Sequence, residues 1–469
     1  MTKTKIVCTI GPSVDSLEKI IELLQKGMNV ARLNFSHGTH ESHQKIIQQL
    51  KFARQQLQCP LAIMLDTKGP EVRLGKIATQ QVNLEHGQMW HLLQEEGEGN
   101  AQQISIHPGQ ILKNLTIGTR LLFDDGNISA EVVEKTKTGV MVIIDQGGPI
   151  SSGKGVNIPN TILDLPAVTA KDIEDIQFGA AQDVDMIAAS FVRGAQHVRE
   201  IKEILQAAKK SEILVIAKIE NKEGIENFDA ILHESDGIMI ARGDLGVEMP
   251  YEQLPGLQKM MIRKCYFAGK PVITSTQMLE SMINQSRPLR AEVSDVANAV
   301  YDGTSATMLS GETAVGHYPI QTVEAMRRII AAAEHDFDFV NFWQQHLSIP
   351  QTISASLTLA ALLTAFQIGA KAIFTGCYQG ARFLARLHPR MPILAITANP
   401  KIFHQMSLLC GVIPILQSDF TSLNDGIKEI SHFALQRELL TDGDFVLVVF
   451  SQHGATIDAI SVEQVNSAS

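Results

Sequence analysis

The sequence predicts an α/β protein: a (β/α)8 TIM barrel with an inserted small β-barrel lid domain and a C-terminal α/β domain. Three observations lead there. Short apolar, β-branched runs alternate with amphipathic helical patterns, as in a parallel sheet covered by helices. Eight such runs precede about residue 340, the number that closes a barrel. One interval between runs is far longer than the others and differs in texture. A doubly wound open sheet is the alternative architecture, since counting strands does not prove closure.

The eight runs are KIVCTIGP from Lys5, NVARLNFSHG from Asn29, LAIMLDTKG from Leu61, DMIAASFVR from Asp185, ILVIAKIEN from Ile213, GIMIARGDLG from Gly237, PVITSTQ from Pro271 and ATMLSGE from Ala306. Each is short, apolar and polar-tailed, as expected of buried strands. Between them SLEKIIELLQKG sets Leu17, Ile20, Ile21 and Leu24 on one face and stops at Gly27, and HVREIKEILQAAKK does the same with Val198, Ile201, Ile204 and Leu205. TAKDIEDIQFGAAQ starts like a capping box, with Thr169 as N-cap and Asp172 three residues on. PIQTVEAMRRIIAAAEH follows the eighth run. The long interval separates the third run from the fourth. Within it TRLLFDDGNISAEVVEKTKTGVMVIIDQGG alternates apolar and polar residues, with turn signals at Asp125-Gly126 and Gly147-Gly148. It reads as a small antiparallel β domain tethered to the barrel rim, suited to act as a lid. After about residue 340 the α/β pattern restarts. SASLTLAALLTAFQIGA is helical, and AKAIFTGC, MPILAITAN, GVIPIL and DFVLVVFS are strand-like. The expected domains are barrel 1–68, lid 69–167, barrel 168–340 and C-terminal domain 341–469.

Composition narrows the partners. Of 469 residues, 45% are apolar and 19% charged, a globular balance with ample core. A net charge of −10 argues against nucleic acid or an anionic membrane surface as the main partner, but leaves room for a local basic pocket. The five cysteines (Cys8, Cys59, Cys265, Cys377 and Cys410) are scattered and form no C-x-x-C, which implies free thiols in a reducing compartment. MTKTKIVCTIG has no apolar stretch long enough for a signal peptide, and LTLAALLTAF is too short to span a bilayer. The expected location is cytoplasmic.

In a barrel the C-terminal strand ends form one rim, where the active site lies. The rim would gather Arg32, Asn34, Ser36 and His37; Asp66, Thr67, Lys68 and Arg73; Lys218 and Glu220; Arg242 and Asp244; Thr274, Thr276 and Gln277; Ser310 and Glu312. Lys218 and Glu220 share a face if the strand stays extended. Glu220 and Asp244 on adjacent strands could hold a hard divalent cation such as Mg2+. Lysine and arginines beside it suit an anionic, phosphorylated substrate. Such a site stabilises a phosphoryl group in transfer and an enolate left behind. Taken singly, each group has a structural explanation. Lys218–Glu220 is a rim salt bridge, Asp244 in RGDLG a turn former, and Asn34 and Ser36 helix caps, while the TSTQ hydroxyls serve backbone groups. The histidines His37, His40 and His43 read as a loop and an exposed helix start, not a zinc site. Convergence on one rim is what favours catalysis.

ARLNFSHG, MLDTKGPEVR, IAKIENKEGI, IARGDLGVE, TSTQMLESM and MLSGETAVGHYP, in this order, closely resemble the signature segments of the pyruvate kinase family, and the resemblance spans nearly the whole chain. It implies transfer of phosphate from phosphoenolpyruvate to ADP, giving pyruvate and ATP. It implies that Lys218 neutralises the phosphoryl group and the enolate, and that Thr276 helps deliver the proton. Glu220 and Asp244 would bind catalytic Mg2+ (or Mn2+). Arg32, Gly243 and the backbone near Arg242, with Lys218, Asp244 and Thr276, would form the substrate pocket. Asn34, His37, Arg73 and Lys154 would contact the nucleotide. Asn34, Ser36, Asp66 and Thr67 resemble the K+ site. Glu71 supports it, because members that dispense with K+ tend to carry lysine there.

The resemblance implies a cytoplasmic homotetramer of bacterial type, without an N-terminal extension or a phosphotransfer-type appendage. At the effector loop the chain departs from the pattern T-x-S-G-x-S/T. TGCYQGAR puts Cys377, Tyr378 and Gly380 where hydroxyls and a glycine are usual, and thiols donate poorly to phosphate. The closing loop SQHGATIDAIS is short and lacks a tryptophan. Fructose 1,6-bisphosphate activation is not expected. Two other readings stand beside it: a Mg2+-dependent mutase or aldolase barrel, which needs neither K+ site nor nucleotide lid, and a non-catalytic regulatory relic, which predicts loss of Lys218, Glu220, Asp244 or Thr276. None of these is lost.

Overall fold

The structure, a computed structural model, describes residues 2–161, 163–346, 352–417, 423–450 and 459–466. The barrel strands are β1 (Lys5–Thr9), β2 (Val30–Asn34), β3 (Ala62–Asp66), β4 (Met186–Ala189), β5 (Leu214–Ile219), β6 (Gly237–Ala241), β7 (Val272–Ser275) and β8 (Ala306–Leu309). They close in the order β1-β8-β7-β6-β5-β4-β3-β2, with every neighbour parallel.

Strand alternation sorts each run into two faces. In β5, Ile216 packs inside the barrel with Val7, Val30, Met64, Met239 and Ile273. Val215, Ala217 and Ile219 pack outward under the helices. The next interior position after Ile216 is Lys218. By the same count Arg32 follows Val30, Asp66 follows Met64, Thr9 follows Val7 and Ser190 follows Ala188. The apolar interior is thus capped by a polar layer at the C-terminal rim.

Helices return the chain between strands. The Leu17–Lys26 helix is capped by Ser16, ends at Gly27 with φ 126°, and buries Ile20 and Leu23 with Leu17, Ile21 and Leu24 flanking. Thr169 and Asp172 form the reciprocal capping box of the Ala170–Ala181 helix.

The insert forms a seven-stranded sheet with its own core around Trp90, Phe123 and Val142. An antiparallel bridge between Arg73 and Gly155 joins its outer strands Arg73–Leu74 and Val156–Asn157, giving a barrel-like closure. It is not wholly antiparallel: Met89–Leu93 pairs in parallel with Gln103–His107. Gly148 is not the far end of a turn but opens the Gly148–Ser151 strand, which pairs with Gln81–Leu84. The C-terminal sheet runs Val412–Leu416, Ile393–Thr397, Ala372–Thr375, Phe445–Phe450, Ala459–Gln464. The last strand is antiparallel and was not foreseen. The closing-loop reading falls mainly on 451–458, outside the described residues. All five cysteines are free, with Cys8, Cys265 and Cys410 buried.

Polar contacts fasten the C-terminal domain to the barrel's lower end. Lys401 Nζ donates to the Asp183 and Val184 carbonyls at 3.1 and 2.9 Å, and His404 Nδ1 accepts from the Leu61 amide at 3.3 Å. Burial, with Arg54 and Lys401 nearby, pulls the His404 pKa down to about 3. The folded state therefore holds His404 neutral, whereas the unfolded chain protonates it near pH 6.5. The unfolded state binds more protons between these values, so this contribution is complete above pH 6.5 and is lost as pH falls towards 3. Chemical denaturation at stepped pH should show His404→Gln with a shallower acid loss of stability than wild type, by up to about tenfold in the folding constant per pH unit.

Candidate active site

The polar layer is built around one buried ammonium. Lys218 Nζ lies 3.0 Å from Asp66 Oδ1, 3.0 Å from Glu220 Oε1 and 2.7 Å from Ser190 Oγ, which occupies all three of its donors. Asp66 is also gripped by Arg32 Nε at 2.5 Å, and Arg32 Nη1 donates to Thr9 Oγ1 at 3.0 Å. Arg32, Asp66, Lys218 and Glu220 are all buried. Lys218 and Glu220 do share the inward face.

Charge sets the ionisation of the group. Burial alone would discharge Lys218, but Asp66 and Glu220 overcome it and raise its pKa. Burial likewise opposes ionisation of Asp66, and Arg32 and Lys218 reverse this to hold it below the usual carboxylate range. Glu220 goes the other way: burial raises its pKa despite Lys218, and Asp244 raises it further. Asp244 is raised by burial too, in spite of Lys218, and shares a hydrogen bond with Glu220; the charges of Asp125 and Glu71 add to the rise. Two cations thus face three carboxylates. The Glu220–Asp244 pair sets two carboxyl groups that resist ionising together side by side, an oxygen-rich spot that a hard divalent cation would suit.

Ser190 and the Phe191 amide hold this geometry. Phe191 N donates to Glu220 Oε2 at 2.5 Å, at a residue whose φ of 53° puts it in the left-handed region. Ser190 N donates to Thr67 Oγ1 at 3.1 Å. Neither residue was singled out from the sequence, nor was Thr9. Their only signal is position, since each sits at the polar end of a barrel strand.

On the opposite side, β6 leads straight into the Arg242–Glu248 helix, so RGDLG is helical rather than a turn. Gly243 N donates to Thr276 Oγ1 at 2.6 Å, and that hydroxyl lies 2.6 Å from the Ser275 carbonyl. Thr276 and Gln277 have φ of 66° and 54°, a second strained spot at this rim. The Arg242 guanidinium is fixed by Asp295 at 2.7 Å and by the Thr276 carbonyl at 2.8 Å. Ser310 and Glu312 serve the scaffold: Glu312 accepts from the Ser310 and Leu279 amides.

Asn34 and Asp66 are direct partners in the β2–β3 register. Asn34 Oδ1 accepts from Ser36 N at 3.1 Å. Asn34 and Ser36 do not cap the next helix, because Thr39 does. His37 is exposed beside them. His43 is buried, not on an exposed start; it stacks on Phe35 at 3.9 Å and bonds to the His37 carbonyl at 2.8 Å. In the lid, Arg73 pairs with Glu71 at 2.6 Å and donates to the Gly153 carbonyl, while Lys154 pairs with Asp124 at 2.6 Å. Leu74 N bonds to the Lys154 carbonyl at 2.9 Å, so Arg73 and Lys154 rise from neighbouring segments.

Asp66→Asn removes the counter-charge shared by Arg32 and Lys218. Breaking a buried pair in this way should cost about 3–5 kcal/mol in denaturant-measured stability.

Residues 1–323 match the family described as "Pyruvate kinase, barrel domain", and 355–462 match "Pyruvate kinase, alpha/beta domain". A pyruvate kinase of Geobacillus stearothermophilus is 42% identical over 451 residues, covering 95% of this chain and 77% of the relative. One from Staphylococcus aureus (strain MRSA252) is 42% identical over 453 residues, covering 96% and 77%. A crystal structure of a pyruvate kinase from Cryptosporidium parvum superposes with a TM-score of 0.94 at 38% identity, covering 99% of this chain and 96% of that one.

Proposed function

This chain belongs to the pyruvate kinase family, and from that premise we propose how its residues divide the family's work. The enzyme is a phosphotransferase that moves the phosphoryl group of phosphoenolpyruvate to ADP, giving pyruvate and ATP, in glycolysis. The observation that carries the division is the Lys218 ammonium held between Asp66, Glu220 and Ser190 at the barrel rim.

Lys218 is fixed before substrate arrives, so its charge needs no reorganisation when negative charge builds on the phosphoryl and enolate oxygens. Arg32, locked by Asp66 and Thr9, faces the phosphoenolpyruvate anion from β2. Glu220 and Asp244 are the ligands for Mg2+ or Mn2+. Such a cation, when bound, neutralises phosphoryl and enolate oxygens as a Lewis acid. Gly243 and Asp244 border the substrate. The Thr276 hydroxyl, between the Gly243 amide and the Ser275 carbonyl, can hold a proton at Oγ1 for the enolate carbon.

Arg73 and Lys154 face the nucleotide phosphates from the lid, with Asn34 and His37 on the barrel side. Asn34, Ser36, Asp66 and Thr67 supply oxygens suited to K+. Glu71, a carboxylate paired with Arg73 at 2.6 Å, brings no positive charge that could replace it. Cys377 caps the Tyr378–Arg386 helix, its sulfur accepting from Gly380 N at 3.2 Å. It thus fills the effector loop with a group ill suited to phosphate, which supports an enzyme that fructose 1,6-bisphosphate does not activate. No helix among the described residues is long and apolar enough to cross a membrane, and we assign the enzyme to the cytoplasm, as a homotetramer.

A coupled pyruvate-formation assay with phosphoenolpyruvate and ADP tests the reading. Wild type should turn over, and Lys218→Met should lose roughly 10²–10³ in kcat, the scale for removing one preorganised charge. Turnover retained in that variant removes Lys218 from its role. In the same assay, replacing K+ by a bulky organic cation should sharply reduce the rate, and titrating in fructose 1,6-bisphosphate should leave it unchanged. Full activity without a monovalent cation, or strong activation by the bisphosphate, contradicts these assignments.

A further inference from the structure

Two linkers join the lid to the barrel, and both meet the strand end that holds the reactive charges. The outgoing linker passes Gly69, with φ of 72°. Its amide donates to Asp172 Oδ1 at 3.0 Å, and the other oxygen of that carboxylate holds the Thr169 amide and hydroxyl where the return linker ends. A Cβ on Gly69 would lie 2.8 Å from the Phe191 ring and 2.9 Å from Ser190 Cβ, so the linker rests directly on these two residues. Ser190 and Phe191 are the groups that fix Lys218 and Glu220.

The return linker has no regular structure at 163–166; its Leu165 amide bonds back to the Leu163 carbonyl at 2.9 Å, but the Leu165 and Pro166 carbonyls need donors from outside it. Arg193, two residues beyond Phe191, supplies the donors. Its Nη1 reaches the Leu163 carbonyl at 3.1 Å, and Nη2 reaches those of Leu165 and Pro166 at 2.6 and 3.0 Å. Arg193 is itself anchored, its amide donating to His197 Nδ1 at 3.2 Å and its carbonyl accepting from Asn227 Nδ2 at 2.8 Å. Its Nε is buried and has no partner among the described residues. A planar fork of donors spans several carbonyls in a way that one ammonium cannot.

We propose that Arg193 is a positioning residue that clamps the return linker of the lid to the strand end carrying Ser190 and Phe191, so that lid placement and the geometry of Lys218 and Glu220 are set by one rigid segment. Nucleotide groups on the lid are thereby indexed to the phosphoryl-neutralising groups on the barrel. This rests on the phosphoryl-transfer reading above.

Steady-state kinetics and hydrogen exchange of full-length Arg193→Ala and Arg193→Lys provide the test. The clamp predicts that kcat falls about tenfold or more in both variants, the scale of a small misplacement of reacting groups. The KM for ADP should rise about fivefold while that for phosphoenolpyruvate stays within about twofold, because the nucleotide groups ride on the lid. The Leu165 amide, which bonds to the clamped Leu163 carbonyl, should exchange at least about tenfold faster in both variants, whatever the turnover. Lysine should restore thermal stability without restoring kcat, and it carries the test if the alanine variant does not fold. Unchanged exchange, or both KM values rising together with kcat intact, overturns the clamp. A wild type that forms no pyruvate overturns the phosphoryl-transfer reading instead and leaves the exchange result to decide on the clamp.

Discussion

A lysine ammonium buried at the mouth of a barrel has to be compensated, and the rest of the rim follows from how that is done. Water cannot solvate Lys218, so Asp66, Glu220 and Ser190 take its three hydrogens. Asp66 can serve it only because Arg32 stabilises its other oxygen. Glu220 serves it at the cost of sitting against Asp244, and both carboxyls resist ionisation there. The cluster is short of positive charge where a metal-bound, phosphorylated anion would arrive. Removing any one ion from such a set leaves another buried without a partner, which is why the group behaves as a unit.

Its placement comes from elementary strand geometry. Alternate side chains of each barrel strand point inward, so Val30, Met64, Ala188 and Ile216 fill the interior while Arg32, Asp66, Ser190 and Lys218 take the next inward positions. The same two-residue period that builds the apolar core thus delivers the polar layer above it. The inserted sheet has a separate core. It meets the barrel through linkers lying on Ser190, Phe191 and Arg193, and directly where Asn157 Nδ2 donates to Glu248 Oε1 at 3.3 Å.

Much of this was legible in the sequence because it depends on local pattern. Eight apolar runs with polar tails identified the strands, and the polar tails identified Lys218, Glu220, Arg32 and Asp244. What escaped depends on tertiary contact. Ser190 and Phe191 act through a hydroxyl and a backbone amide, and nothing in SFVR marks a donor aimed at Glu220. Thr9 looked like any strand residue. Asp172 was recognised as a helix cap, but its second oxygen reaches Gly69, which is distant in sequence. The parallel pair within the lid and the final strand Ala459–Gln464 were missed because alternation reveals a strand and not its partner or direction. The burial of His43 against Phe35 follows from packing, and its polar neighbours in the sequence suggest the opposite.

On the proposed mechanism, one barrel mouth neutralises a phosphoryl group with a preplaced lysine beside two metal-binding carboxylates. A crystal structure of the enzyme soaked with Mn2+ and phosphoenolpyruvate tests it most directly, because anomalous scattering locates the ion. The proposed mechanism puts the ion on Glu220 and Asp244, with Lys218 Nζ within hydrogen-bond reach of a phosphoryl oxygen. An ion bound elsewhere, or a substrate seated away from Lys218, would contradict it.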